Sequence, residues 1–198
     1  MRTLGELTWF LGIRVVRDRS ARKLWLCQDS YIDKITAKFN CLDKRSPKTP
    51  LPTEELRPYD QKATAQQIYA YQQRVSFLNF LAVNTHPDIA KAVSKLSEFL
   101  QNPSPNHIAA ADRVIQYLYG TKTLAIEFSG QTDESKIFVC SADAAFADDP
   151  IMRRSSDGYL FQLYGGPIDW RASKQKTVTT SSTEAELLSL SFTAKEAL

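Results

Sequence analysis

The stretch from Ile137 to the end of the sequence constrains the fold most strongly. It opens with the apolar run IFVC, which leads to Asp143, and it closes with SSTEAELLSL, a helix start that carries Glu184 and Glu186. Between these segments, the pattern predicts two strands joined by a Gly-Gly turn. A carboxylate at the end of a strand, facing a carboxylate on the following helix, commonly holds a divalent metal ion near a phosphate. The stretch therefore predicts a strand, a hairpin and a helix with a candidate metal site.

The overall composition is that of a folded protein with a small positive charge. The chain has 198 residues, of which 43% are hydrophobic, so one domain or two small ones can form a core. The formal net charge is +3. This charge is mild compared with that of a dedicated DNA-binding domain, and it permits contact with nucleic acid without demanding it.

The cysteines and the apolar segments indicate an intracellular protein, in the cytoplasm or nucleus, that is not secreted. Cys27, Cys41 and Cys140 show no paired spacing, and the chain has two histidines, which argues against a disulfide framework and a zinc site. The N-terminal apolar segment is too short for a signal peptide, and no run of about 18 apolar residues predicts a membrane span. The abrupt start and end suggest a piece of a longer chain.

The first part of the chain predicts a hairpin followed by a helix. A strand is expected from Leu7 to Asp18 and a second from Lys23 to Gln28. A helix over residues 31–39 follows, with Asp29 or Ser30 as its N-terminal cap. Residues 40–60 contain four prolines, and we expect an extended loop that either packs along a surface or serves as a mobile link.

The middle of the chain predicts a small helical bundle. The periodicity indicates three helical segments, namely residues 64–83, a segment capped by Thr85, and residues 106–119 with Gly120 as the C-terminal cap. A strand over residues 123–128 comes next. The fold class is therefore α+β, and we place two domains at residues 1–122 and 123–198.

Four ordered blocks in the C-terminal stretch resemble the ribonuclease H segment of copia-type retrotransposon polyproteins. These blocks are DAA after the first strand, RRSSDGY, WRASKQ and SSTEAEL. The earlier segments LGELTWFLGIRV, THPDIAKAVSKLS and NHIAAADRVIQYLYGT resemble the region that follows the polymerase active site in the same family, where the hairpin is similar to a primer grip and the helices to the thumb and connection. Two positions depart from the family pattern, His86 in place of arginine and Ser76 in place of glycine.

The resemblance implies a magnesium-dependent phosphodiester hydrolase that cuts the RNA strand of an RNA–DNA hybrid. In this pattern Asp143 and Glu186, rather than Glu184, would be the catalytic residues that bind metal. The family segment continues with further helices and two more acidic positions, so we expect the carboxylate set of this chain to be incomplete. The chain alone would then be weakly active or inactive, or it would serve as a non-catalytic scaffold or interaction module. The polymerase hairpin of the family is absent, which argues against reverse transcription by this chain.

Several other side chains have two interpretations. Asp148 and Asp149 are expected to be turn residues rather than additional metal ligands. Most aromatic side chains are expected in the core or at its rim rather than as stacking platforms, the histidines are poor catalytic candidates, and Cys140 is expected to be buried. Four basic residues either contact nucleic-acid phosphates or form a solvated surface, and these are Arg153, Arg154, Lys174 and Lys176.

The fold implied by the resemblance leaves one strand edge bare. In that fold a parallel strand pairs with the first strand, here Ile137 to Cys140, and we expect no such neighbour within this chain. Because an open strand edge is an association site, we predict that it is covered by a second copy of the chain, by a protein partner, or by the strand at residues 123–128. A symmetric homodimer would be the commonest solution.

Overall fold

The computed structural model describes residues 5–42, 45–130, 133–149 and 152–197, which form two compact units. The first unit is Met1–Glu127 and the second is Phe128–Leu198. Five α-helices and two antiparallel sheets are present in the described residues, so the predicted α+β class is confirmed. No helix in this part of the chain is long and apolar enough to cross a membrane.

The first sheet begins with two successive hairpins. Its strands are β1 (Trp9–Phe10), β2 (Ile13–Asp18) and β3 (Lys23–Cys27), and β4 (Ile126–Ser129) completes the order β1-β2-β3-β4. The prediction of one strand over residues 7–18 is wrong, because the chain reverses at Leu11 and Gly12, whose φ angles are 49° and 82°. Two residues with positive φ between paired strands form the tight turn that matches the strand twist.

Helix α1 (Asp29–Lys38) begins earlier than the sequence predicts. The cap position is Gln28, rather than Asp29 or Ser30, and its side chain makes no capping bond. Instead, Gln28 is buried and its Oε1 accepts a hydrogen bond of 2.7 Å from the Thr85 hydroxyl, while Asp29 accepts one of 2.7 Å from Arg14. Tertiary hydrogen bonds have therefore replaced the local cap.

The hydrophobic core of the first unit lies among its helices. Helix α2 (Ala65–Asn84) starts at Thr64, which forms a reciprocal capping box with Gln67. A short 3-10 turn (Pro87–Ile89) then leads into α3 (Ala90–Ser97). Thr85 is the C-terminal cap of α2, whereas the sequence predicts it as the N-terminal cap of the next helix. Helix α4 is Pro105–Thr121. Large apolar side chains of these helices and α1 are almost fully buried together, among them Ile32, Ile35, Leu78, Leu81, Ile89, Leu96, Ile115 and Leu118.

Residues 45–60, here called the strap, lie along the surface of α4. The Ser46 hydroxyl donates to the Gln116 carbonyl at 2.9 Å, and Arg113 donates to the Thr49 hydroxyl at 3.1 Å. Of the two predicted alternatives for this loop, packing along a surface is confirmed. Gly120 lies within α4 and does not cap it as predicted, because Lys122 is the cap residue. A Cβ atom at Gly120 would overlap the side chain of Ser46, so the absence of a side chain at Gly120 leaves room for the strap.

Replacing Gly120 by alanine should destabilise the first unit. In an open helix, glycine to alanine gains up to about 1 kcal/mol, whereas overpacking against Ser46 costs about 1–3 kcal/mol. We therefore expect the free energy of unfolding, measured with denaturant, to fall by about 1 kcal/mol. In the Ser46→Gly background the same change should be neutral or stabilising. A stabilising effect of Gly120→Ala in the unchanged chain would contradict this close approach.

His107 is a structural residue at the start of α4. Its Nδ1 accepts from the Ser104 N–H at 2.9 Å, so the ring takes the capping-box role that glutamate or glutamine usually has, and its Nε2 lies 3.0 Å from the Arg57 carbonyl of the strap. The ring also stacks on Phe99 at 3.9 Å. Burial lowers the pKa of His107 below the ordinary 6.5, Lys95 lowers it further, and the Arg57 carbonyl opposes this change.

Acidification through pH 6.5 should weaken the first unit through His107. Its folded pKa lies below the unfolded value, so the unfolded chain binds more protons and stability falls as the pH drops through 6.5 towards the folded pKa. Denaturant unfolding across this range, compared with His107→Gln, isolates the contribution. Glutamine retains the capping hydrogen bond and does not titrate. An identical pH dependence in the two proteins would contradict this role.

The second unit is a three-stranded sheet and one helix. Strands β5 (Phe138–Ala145), β6 (Ser156–Leu163) and β7 (Gly166–Lys174) lie in that order, so β5 is an edge strand. The predicted hairpin of β6 and β7 is confirmed, but its turn is formed by Tyr164 and Gly165, both at positive φ, rather than by the two glycines, because Gly166 already pairs with Leu163. The strand expected at residues 123–128 is β4, which lies in the first sheet, so the prediction that it covers β5 is wrong.

Helix α5 (Ser182–Glu196) packs on β5 with small and hydroxyl side chains. Its N-terminal cap is Ser181, whose side chain accepts a hydrogen bond from the Glu184 N–H. The buried stripe consists of Ala185, Ser189 and Thr193. Among the described residues of this unit, Phe161 and Ala185 are the buried apolar side chains, so its hydrophobic core is small.

Candidate functional site

Asp143 lies within β5 and is exposed. The predicted strand end is wrong, because the antiparallel pairing continues past Asp143 to the pair Ala145–Ser156. Asp143 pairs with Gly158, which pairs with Ala172, so two small residues share its face of the sheet. The carboxylate therefore has open space around it, as a binding group requires.

The two glutamates at the start of α5 have different environments. Glu184 accepts hydrogen bonds from the backbone N–H and the hydroxyl of Thr180, at 2.6 and 2.9 Å, and these bonds lower the pKa of its carboxyl. It thus holds the first turn of the helix. Glu186 follows the buried Ala185 and is exposed. The choice of Glu186 as the metal ligand remains a prediction, and the capping role of Glu184 is consistent with it.

Two polar contacts fix α5 beside the strand that carries Asp143. The Ser189 hydroxyl donates to the Asp143 carbonyl at 2.9 Å, and the Gln175 side-chain amide donates to the Ala185 carbonyl at 2.9 Å. Sequence reasoning missed both residues as site supports. The available signal was a serine on the sheet-facing side of a leucine-rich helix and the glutamine of the WRASKQ block.

The sheet face on which α5 packs is fixed by an aromatic contact. Phe192 lies 6.1 Å from the ring of Tyr159 and 5.1 Å from the guanidinium of Arg171, and these two residues are cross-strand partners. Because side chains alternate along a strand, Asp143 belongs to the other face. The direct link between Asp143 and α5 is therefore the backbone contact at Ser189.

The acidic residues that the structure describes do not form a complete two-metal site. Within the described ranges, no group of three or more His, Cys, Asp or Glu side chains is placed to hold one ion. Two-metal hydrolysis needs several shared anionic ligands. Asp143 and Glu186 both offer carboxylate oxygens of the kind that magnesium prefers, but Asp143 lies on the sheet face opposite α5, so the prediction that the two bind metal together stays a prediction.

Asp148 and Asp149 organise the turn after β5. Asp148 accepts a hydrogen bond from the Ser156 hydroxyl at 2.7 Å. Asp149 is buried, accepts from the Met152 N–H, and lies 2.6 Å from the Lys174 ammonium. The interpretation of these aspartates as turn residues is confirmed. Because Lys174 forms this ion pair with Asp149, it is the least available of the four basic residues that were predicted to contact phosphates.

The remaining predicted contacts differ in exposure. Arg153 and Lys176 are exposed and Arg154 is half-buried, so these three keep the phosphate-contact prediction open. Cys140 is exposed on β5, and the prediction that it is buried is wrong, because an edge strand with few covering side chains leaves it accessible.

His86 is a buried part of the helical unit. Its Nδ1 lies 3.3 Å from the Asp88 carboxylate. Burial by itself would raise the pKa of Asp88, but hydrogen bonds from His86 and Tyr117 outweigh it and lower that pKa. Neither His86 nor His107 lies with another reactive group in a way that suggests catalysis.

Replacing Ser189 by alanine should loosen α5 from the sheet. Loss of one hydrogen bond costs about 1 kcal/mol. We expect faster amide hydrogen exchange in α5, with exchange in α4 unchanged because it belongs to the other unit. Ser191→Ala is the matched control, since Ser191 is exposed on the same helix. Equal hydrogen-exchange rates in the two variants would show that the Ser189 hydrogen bond does not stabilise α5 on the sheet.

Comparison with known proteins shows which proteins this chain is similar to. Over 203 aligned residues the chain is 36% identical to the retrovirus-related Pol polyprotein from transposon TNT 1-94 of Nicotiana tabacum, covering 99% of this chain and 15% of that protein. It is 35% identical to the Pol polyprotein from transposon RE1 of Arabidopsis thaliana, over 96% of this chain and 13% of that protein. No family model and no solved structure matches.

A shorter relative is similar over part of the chain. The secreted RxLR effector protein 161 of Plasmopara viticola is 44% identical over 128 residues, which are 65% of this chain and 89% of that protein. Over nearly its whole length the chain is homologous to retrovirus-related Pol polyproteins of copia-type transposons. It spans about one seventh of the length of the TNT 1-94 relative.

Proposed function

We propose that this chain is the part of a retrotransposon reverse transcriptase that joins a thumb- and connection-like segment to the N-terminal part of a ribonuclease H-like domain. The parent activity would be hydrolysis of RNA in RNA–DNA hybrids. The observation that carries this proposal is the order strand, hairpin and helix in the second unit, with Asp143 on the strand and Ser189 joining the helix to its carbonyl.

Asp143 and Glu186 would supply carboxylate ligands to magnesium in this proposal. When bound, two ions activate a water molecule and stabilise the leaving oxygen. Asp143 is exposed with Gly158 and Ala172 beside it, and Glu186 is exposed on the first turns of α5. Because two carboxylates hold magnesium weakly, the isolated chain would cleave slowly or not at all.

Two exposed regions fit contact with a nucleic acid. Arg153 and Lys176 extend from the second unit and would meet phosphates. In the first unit, the tip of the first hairpin exposes Phe10 and Leu11, which resembles a primer grip. An intracellular compartment is part of this proposal.

Hybrid cleavage in magnesium and in manganese tests the catalytic assignment. We expect slow cleavage of the RNA strand that is lost in both Asp143→Asn and Glu186→Gln, because each removes a metal ligand. Glu184→Gln is the matched control. It should leave cleavage unchanged, because Glu184 is not an assigned metal ligand and the glutamine oxygen can still accept the hydrogen bonds from Thr180. Cleavage that survives Asp143→Asn would reject the assignment.

A non-catalytic interaction module is the second candidate. The specific observation in its favour is that β5 is an edge strand whose outer side has no neighbour among the described strands. A homodimer or a protein partner would cover the edge at residues 137–140 by adding a strand. A folded protein that fails to cleave hybrids in either metal would favour this candidate.

A further inference from the structure

Helix α5 places its more apolar side away from the sheet. The side chains that face the sheet are Ala185, Ser189 and Thr193, all buried. Leu187 and Leu190, in contrast, are 61% and 59% exposed. Amphipathic helices usually bury the apolar stripe and expose the polar one, so this helix has a second, unused packing surface.

The exposed apolar residues follow the spacing of a helix–helix contact. Leu187, Leu190, Ala194 and Ala197 are separated by three, four and three residues, and all are exposed. We call these four residues the outer seam. This spacing is that of the a and d positions of a heptad, which form the narrow stripe along which two helices pack. A helical partner therefore fits the seam better than an extended strand does.

We propose that a second copy of this chain packs its α5 antiparallel against the outer seam. A twofold axis requires a surface that is complementary to itself. In the antiparallel register that opposes Leu187 to the partner's Leu190, the same contact recurs on the other side of the axis. Four leucines then meet at the centre and add an apolar cluster to a unit whose own buried apolar residues, within the described part, are Phe161 and Ala185.

The charges beside the seam select the antiparallel orientation. Glu184 and Lys195 are eleven residues apart, about three helical turns, so they lie on the same flank of the seam. In the register above, Glu184 lies opposite position 193 of the other copy, about 3 Å along the helix from the partner's Lys195. A lysine side chain spans that offset. In a parallel pair, Glu184 and the partner's Lys195 would lie about three helical turns apart and could not pair.

Sedimentation of the full chain over a wide concentration range tests the dimer. We expect a dimer whose dissociation constant rises about a hundredfold or more in Leu187→Lys/Leu190→Lys, because the central leucines are replaced by charges. Both positions are exposed in the monomer, and circular dichroism checks that the variant remains folded. Ser141→Lys, which places a charge on the β5 edge strand, is the matched control and should stay dimeric.

A charge reversal tests the orientation. Lys195→Glu should weaken the dimer about fivefold, because it places a carboxylate beside the partner's Glu184, whereas Lys195→Arg should leave the affinity unchanged. A protein that is monomeric at every concentration would overturn the proposal, as would a dimer that survives both leucine substitutions. A dimer lost in Ser141→Lys but not in the leucine variant would assign the interface to the β5 edge instead. An affinity of Lys195→Glu equal to that of the unchanged chain would overturn the antiparallel arrangement.

Discussion

The hydrogen bond from the Ser189 hydroxyl to the Asp143 carbonyl connects the helix of the second unit to its sheet. It joins the two elements that carry the candidate carboxylates, in a unit where apolar burial is slight. A hydrogen bond has a direction and a fixed length, whereas apolar contact tolerates sliding. The relative position of Asp143 and the start of α5 therefore depends on a polar contact more than on core packing.

The two units are stabilised by different interactions. The first unit buries a continuous apolar core among four helices, and polar groups such as Gln28 and His107 complete it through tertiary hydrogen bonds. The second unit leaves large apolar side chains exposed, including Phe138 and the leucines of the outer seam. Its stability is consequently more sensitive to whatever covers those surfaces.

The elements of this fold were predictable where the pattern is local and periodic. The helical segments and the β6–β7 hairpin follow directly from apolar spacing and turn residues. The errors lie where long-range contacts replaced local signals. Gln28, rather than Asp29 or Ser30, occupies the cap position of α1, and its side chain bonds to the distant Thr85. Gly120 lies within α4, where Ser46 of the strap packs against it. For the candidate site, the motif singled out Asp143 and Glu186. The serine on the sheet-facing side of α5 was visible in the sequence, but its acceptor, the Asp143 carbonyl, follows only from the packing of α5 on β5.

The strap has a consequence for the order in which the first unit assembles. Its bonds connect residues far apart in sequence, since Ser46 and Gln116 are separated by 70 positions and Arg57 and His107 by 50. Contacts of such long range form late, because the chain between them must first lose its freedom. Hairpins and individual helices can form before the strap closes over α4. Local opening of the folded unit is then expected to begin at the strap, and the start of α4 would be the first buried surface that it uncovers.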